Sequence, residues 1–389
     1  GRTFTEELQD DAAFWTARCH LVAGRNAEAI ELLNLALRDH TASELAPQMR
    51  FDLAVCLSRS AAPAKALAAF EEFRRRHPQD PLVPDASLAI ASILRQQGEF
   101  DRAADLCEAL AEDHPEHPRV SDALLLLAEC HYQQEDFSGA AEACARALAA
   151  TSDPELKSRL TYRMAMSLYR DGAWAKARPL LETVVAESRA SETSLPALHA
   201  LGSGYFATEQ WLEAERRMTD YLNAEPAGPL ADDALLKQGL ARQRQGREAA
   251  ALESFEALIA DYPASVHMPQ ALFERAQSLL ALERSDEARP AFERVIQVAA
   301  DSRFAQPSFE RLGALAERAG DFTAAADWYA RAGARGGSTS PAGGAFDRGR
   351  ALLASADYQG ALDALTSAIN DSPEDPRVPN ARAQRAIAL

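Results

Sequence analysis

Few side chains in this 389-residue sequence stand at spacings that could do chemistry. His114 and His117 lie three residues apart, a spacing compatible with two metal ligands, but no third ligand accompanies them. Gly202-Ser203-Gly204-Tyr205-Phe206-Ala207 superficially matches a dinucleotide fingerprint. That fingerprint needs a preceding strand, and the pattern around Gly202 is helical. The sequence contains neither Gly-x-x-x-x-Gly-Lys, His-Glu-x-x-His nor Gly-x-Ser-x-Gly. Carboxylates are plentiful but scattered over helix faces, where i, i+4 charge pairing accounts for them. Five cysteines, Cys19, Cys56, Cys107, Cys130 and Cys144, form no Cys-x-x-Cys pair and read as small core hydrophobes. The expectation is a chain without catalytic residues, cofactor or metal.

What positions the side chains is a repeat. Ala29, Ala66, Ala103, Ala140, Ala177, Ala214, Ala251, Ala288, Ala325 and Ala361 stand in one register, 37 residues apart except for a last gap of 36. A self-similar period between 20 and 50 residues marks a stack of small supersecondary units. Within the third unit, Leu88, Ile90, Ala91 and Leu94 have helical spacing, and Gly98 reads as a left-handed helix end. A second helix follows over about Glu99 to Asp113, with Phe100, Ala103, Ala104, Cys107 and Leu110 on one face, and Pro115 stops it. Helix breakers recur at Gly24, Gly98, Gly172, Gly246 and Gly320, and Asp-aromatic starts at Asp136-Phe137, Asp321-Phe322 and Asp357-Tyr358. The connecting loops repeat as HPQDPLVPDA (77–86), HPEHPRVSDA (114–123) and SPEDPRVPNA (372–381), so His114 and His117 read as turn residues.

Composition narrows the function classes. The net charge is −17, from 41 basic and 58 acidic side chains, which argues against nucleic acid as a partner. The longest strongly apolar stretch, Ala123 to Ala128, is too short to cross a bilayer. The odd cysteine count by itself points towards a reducing compartment.

The pattern resembles the tetratricopeptide repeat over essentially the whole chain. Leu198, Leu201, Gly202, Tyr205, Ala214, Met218 and Pro226 fill its slots in the sixth unit, as do Gly239, Ala251, Phe255 and Pro263 in the seventh. The family standard is 34 residues, so each unit here adds about three, most of them in the loop. The resemblance implies an all-α fold, a right-handed α-solenoid superhelix of about ten helix-turn-helix repeats with helices of about 15 residues. Residues 1–332 would hold repeats one to nine, and the Gly/Ser-rich stretch 333–344 an inter-repeat loop or hinge. Residues 345–389 would hold repeat ten and the first helix of an eleventh, whose arrest in mid-pattern suggests a longer polypeptide.

In that family the first helix of each unit lines the concave surface, with slots two, five, six, nine, twelve and thirteen facing inward. The chaperone-binding clamp of Lys and Asn is absent: slots five and nine hold Phe51 with Val55, Leu88 with Ser92, and Leu125 with Glu129. Aromatic residues stand there instead. Slot twelve holds Tyr132, Tyr169 and Phe206; slot five holds Phe14, Phe51, Tyr162, Phe273 and Phe346, with His199 in the sixth unit. Arg159, Arg163 and Arg170 share that face in the fifth unit. Aromatics with arginine are the residues most often dominant in interfaces. The candidate partner-binding residues are therefore Tyr132, Tyr162, Arg163, Tyr169, Arg170, His199 and Phe206. The slot-five rings are expected to pack between neighbouring first helices.

The expected function is a non-enzymatic scaffold that takes a protein or peptide partner in this groove. The alternative is a regulatory or substrate-recruiting arm of a larger enzyme or complex. The lengthened loops also resemble those of bacterial envelope proteins, the outer-membrane-protein assembly lipoprotein and the Tol–Pal-associated coordinator. That resemblance implies a periplasmic or envelope location rather than the cytoplasm.

Overall fold

The computed structural model describes residues 4–40, 43–60, 62–187, 193–333 and 341–389, with backbone alone for 4–10 and 341–343. The chain divides into two compact units, Gly1–Ala197 and Leu198–Leu389. The first contains α1 (Phe4–Val22), α2 (Asn26–Asp39), α3 (Ala46–Arg59), α4 (Pro63–Arg76), α5 (Val83–Gln96), α6 (Phe100–Asp113), α7 (Val120–Gln133), α8 (Phe137–Ala150), α9 (Pro154–Arg170) and α10 (Trp174–Glu187). The second contains most of α11 (Ser194–Ala207), then α12 (Trp211–Ala224), α13 (Ala231–Arg244), α14 (Glu248–Asp261), α15 (Met268–Ala281) and α16 (Ser285–Val298). It ends with α17 (Ala305–Arg318), α18 (Phe322–Gly333), α19 (Pro341–Ala354), α20 (Tyr358–Asp371) and α21 (Val378–Ala388). No strand occurs among the described residues. Within each unit helices pack chiefly on their neighbours in sequence, and the protein is an all-α solenoid of helical hairpins. Of the Gly/Ser-rich stretch expected at 333–344, residues 334–340 lie outside the described residues, Gly333 ends α18 and Pro341 begins α19.

The local signals work as the sequence implies. Gly98 has φ +81°, its N–H bonds to Arg95, and the Glu99 N–H reaches back to the Leu94 carbonyl at 2.9 Å. This six-to-one closure is the Schellman motif, which satisfies the carbonyls left over at a helix end. Gly24, Gly172, Gly246 and Gly320 take the same backbone position. Glu135, Glu209, Glu283 and Ala356 take it in four other hairpins, with φ between +59° and +63°. A side chain in this region costs about 1 kcal/mol, and the recurring closure forces it. On the far side of the turn, Asp136, Asp321 and Asp357 each accept a hydrogen bond from the N–H three residues on, as N-caps do.

The alanine register is the seam. All ten ladder alanines are fully buried. Within each unit, second helices are wedged between two first helices: Ala251 of α14 clusters with Leu236 of α13 and Ala271 of α15, and Ala325 of α18 with Ala316 of α17 and Ala351 of α19. One turn after the ladder alanine, a larger side chain enters a small-residue slot on its partner helix. Phe255 meets Gly239, and Tyr329 meets Gly313, so closely that a Cβ at either glycine would lie 2.5–2.6 Å from the ring.

The cysteines divide. Cys56, Cys107, Cys130 and Cys144 are buried, and burial pushes their thiols up, to about 11 for Cys56 and Cys130. Cys19 is exposed, contrary to the expectation that all five pack in the core. Its slot is covered in later hairpins by a preceding one, whereas the contacts of α1 are with α2 and α3.

Gly239→Ala should destabilise the chain by about 1–3 kcal/mol in chemical denaturation, because overpacking against Phe255 exceeds the gain in helix propensity. Pairing it with Phe255→Leu should recover part of the loss.

Candidate functional site

The first helices of the fourth and fifth hairpins, α7 and α9, carry the candidate site, within the first unit. Helical spacing places Arg159, Tyr162, Arg163 and Arg170 on one face of α9, and Leu125, Glu129 and Tyr132 on one face of α7. Between them opens a cleft of about 450 Å³, lined by Leu125, Glu129, Arg159, Tyr162, Arg163, Thr193 and Pro196. That volume is in the range of ligand clefts and far below what a folded domain needs.

Glu129 is the pivot of its charge. One oxygen lies 3.2 Å from the Arg163 guanidinium and the other 3.6 Å from that of Arg95 on α5, so three successive hairpins meet at one carboxylate. Arg163 also lies over the Tyr132 ring, 5.6 Å from its centroid. Asp122 and Asp85, the nearby acids on the same helical face, both reach Arg119, and Asp85 also faces His117. His117 accepts from the Arg119 N–H through Nδ1, which makes it the turn residue its loop implies. Arg159 is exposed and has no carboxylate partner among the described residues. Arg170 is exposed as well, with its guanidinium 5.1 Å from the Phe137 ring centroid.

The slot-twelve aromatics meet partners within their own hairpins. Tyr132 stands edge-on to Phe137 at 5.3 Å and Tyr169 to Trp174 at 6.2 Å. In the second unit Phe206 does the same with Trp211 at 5.1 Å. Each ring leans across the turn onto the first residue of the next helix, a contact worth about 1 kcal/mol beyond its buried area. Slot-five rings pack inward, but chiefly on the second helix of their own hairpin and not between neighbouring first helices as expected: Phe51 of α3 meets Phe70 and Phe73 of α4, and Phe273 of α15 meets Phe292 of α16 and, ahead of α17, Phe304.

His199 belongs to a separate polar node in the second unit. Its Nε2 lies 2.5 Å from Asp233, which also pairs with Lys237 and faces His267 at 3.5 Å; Lys237 further donates to Ser203 at 2.9 Å. Sequence reasoning missed Asp233, Lys237 and His267, which are 34 and 30 residues apart in the outer pairs and share no motif. Burial alone would push the Asp233 carboxyl up, but hydrogen bonds from His199 and Lys237 outweigh it and hold it at about 2. Among the described residues no group of three or more His, Cys, Asp or Glu is arranged to hold a metal ion. No described helix is long and apolar enough to cross a membrane.

Hairpins closed by a conserved geometry, small residues in fixed slots and a first-helix groove are the marks of one family. A model of the tetratricopeptide repeat matches residues 4–48, 57–118, 88–154 and 273–339, and a second such model matches 233–265. The chain belongs to the tetratricopeptide repeat family. Repeats of this family generally mediate protein–protein interactions. Among solved structures, a tetratricopeptide repeat protein from Parabacteroides merdae is 16% identical, over 66% of this chain and 94% of its own, with a TM-score of 0.44. The C-terminal part of a repeat-containing protein from Cytophaga hutchinsonii is 14% identical over 75% and 97%, with a TM-score of 0.48. YrrB, a repeat protein with an unusual peptide-binding site, is 18% identical over 56% and 98%, with a TM-score of 0.43. The curated proteins contain no match.

The Asp233 node gives a pH prediction with a definite sign. A carboxyl held near 2 when folded and 3.8 when free adds stability above pH 4 that is lost as pH falls through 2. The contribution is about 2 kcal/mol. Asp233→Asn should lower stability at pH 7 and flatten the acid limb of the stability curve between about pH 4 and 2.

Proposed function

We propose that this protein is a non-enzymatic scaffold that holds a peptide segment of a partner protein on the first-helix faces of its fourth and fifth repeats. The residues assigned to that contact are Tyr132, Tyr162, Arg163, Tyr169 and Arg170; His199 and Phe206 belong to the second unit, where Asp233 engages His199. The observation that supports this most is the cleft beside Tyr162, where an apolar wall and an exposed arginine meet on the groove face. Tyrosine and arginine at such a place are the usual anchors of an interface, because each combines a large contact area with a directional polar end. Four of the five thiols are buried and raised, which is the setting of inert packing and not of a nucleophile.

The test uses the full chain and a random peptide library. Peptides recovered by panning should protect amides of α7 and α9 in hydrogen exchange, and Tyr162→Ala should weaken them about ten-fold or more with the helical signal retained. Protection confined to the second helices of the repeats, or binding indifferent to Tyr162, would contradict the reading.

A further inference from the structure

Most of the charges around the cleft already have partners. Glu129 is engaged from both sides by Arg95 and Arg163, and Asp122 and Asp85 are engaged by Arg119. Arg159 is left without a carboxylate among the described residues, on the wall of the cleft, in a chain whose net charge is −17. An isolated surface arginine is ordinarily just solvated. Here its neighbours are Leu125, Tyr162 and Pro196, which present apolar surface beside it, and Thr193, which adds a hydroxyl.

We infer that the occupant is an extended segment in which an aspartate or glutamate side chain meets Arg159 while an apolar side chain lies against Leu125, Tyr162 and Pro196. This rests on the docking reading above and adds the chemistry of the partner. A carboxylate suits a guanidinium because two parallel N–H···O bonds form at once. An extended chain turns residues i and i+2 to the same face, about 7 Å apart, so one acidic and one apolar residue enter a cleft of this size together. A free inorganic anion would neutralise Arg159 but leave the apolar wall wet. A basic segment would bring its charge against Arg159, while Glu129, the acid on the cleft wall, is already paired with Arg95 and Arg163.

The experiment pans this 389-residue chain against random peptides fused through their C-termini, so no free terminal carboxylate takes part. Selected sequences should be enriched in Asp or Glu two positions from Leu, Ile, Phe or Tyr. The best of them, synthesised and labelled, should lose about ten-fold or more in affinity when its acidic residue becomes Gln, and a similar factor against Arg159→Glu. Panning Arg159→Glu afresh should abolish the acidic enrichment. Because Arg159 is exposed, that variant should keep the wild-type melting temperature. Neutral or basic peptides that bind both proteins equally yet are lost on Tyr162→Ala would overturn this inference and leave the docking reading intact. Peptides insensitive to both substitutions, or none selected, would overturn the two together.

Discussion

The close approach of second helix to first helix, set by alanine at one register, is the constraint from which the rest of the molecule follows. A helix whose contact residue is alanine can sit against two neighbours at once, and all ten ladder alanines are fully buried in that position. Larger side chains one turn away then need room on the facing helix. The structure supplies it at Gly239 for Phe255 and at Gly313 for Tyr329. The seam uses the second helices, so the first helices keep one face free of it. That face is where Arg159, Tyr162 and Arg163 stand.

Polar contacts add the relation between successive hairpins within each unit. They recur between residues about 34 apart: Arg95 with Glu129, Glu129 with Arg163, Asp85 with Arg119, and in the second unit His199 with Asp233 and Asp233 with His267. With a period of 37, each joins a residue of one first helix to a position about one turn earlier in the next repeat. The more exposed of these pairs, such as Asp85 with Arg119, contribute little stability, unlike the more buried Asp233 node. Their consequence is to fix which charges of the groove are already neutralised; Arg159, on the cleft wall, has no carboxylate partner among the described residues.

Much of the fold was legible because it is local and repeated. Gly98 announced a left-handed turn, Asp136 and Asp357 announced N-caps, and the alanine spacing announced the seam. Less was legible where tertiary context overrides residue type. Glu135, Glu209, Glu283 and Ala356 adopt the backbone that glycine would have advertised, because the helix closure imposes it whatever the side chain. Cys19 shares its slot with Cys56 and Cys130 but not their burial, which depends on what precedes the hairpin. At the site, the face of Tyr162 and Arg163 could be inferred from slots. The pairing of Tyr132 with Phe137, and the gathering of His199, Lys237 and His267 around Asp233, depend on inter-helix geometry that no linear spacing encodes.

The seam is tested most directly by enlarging one of its alanines. Ala103 is fully buried in α6, while Ala109 on the same helix is exposed. Ala103→Leu should cost about 1–3 kcal/mol or more in equilibrium unfolding, whereas Ala109→Leu should stay within about 0.5 kcal/mol of the wild type. Equal, small effects at both positions would mean that the alanine register does not set the spacing of the helices.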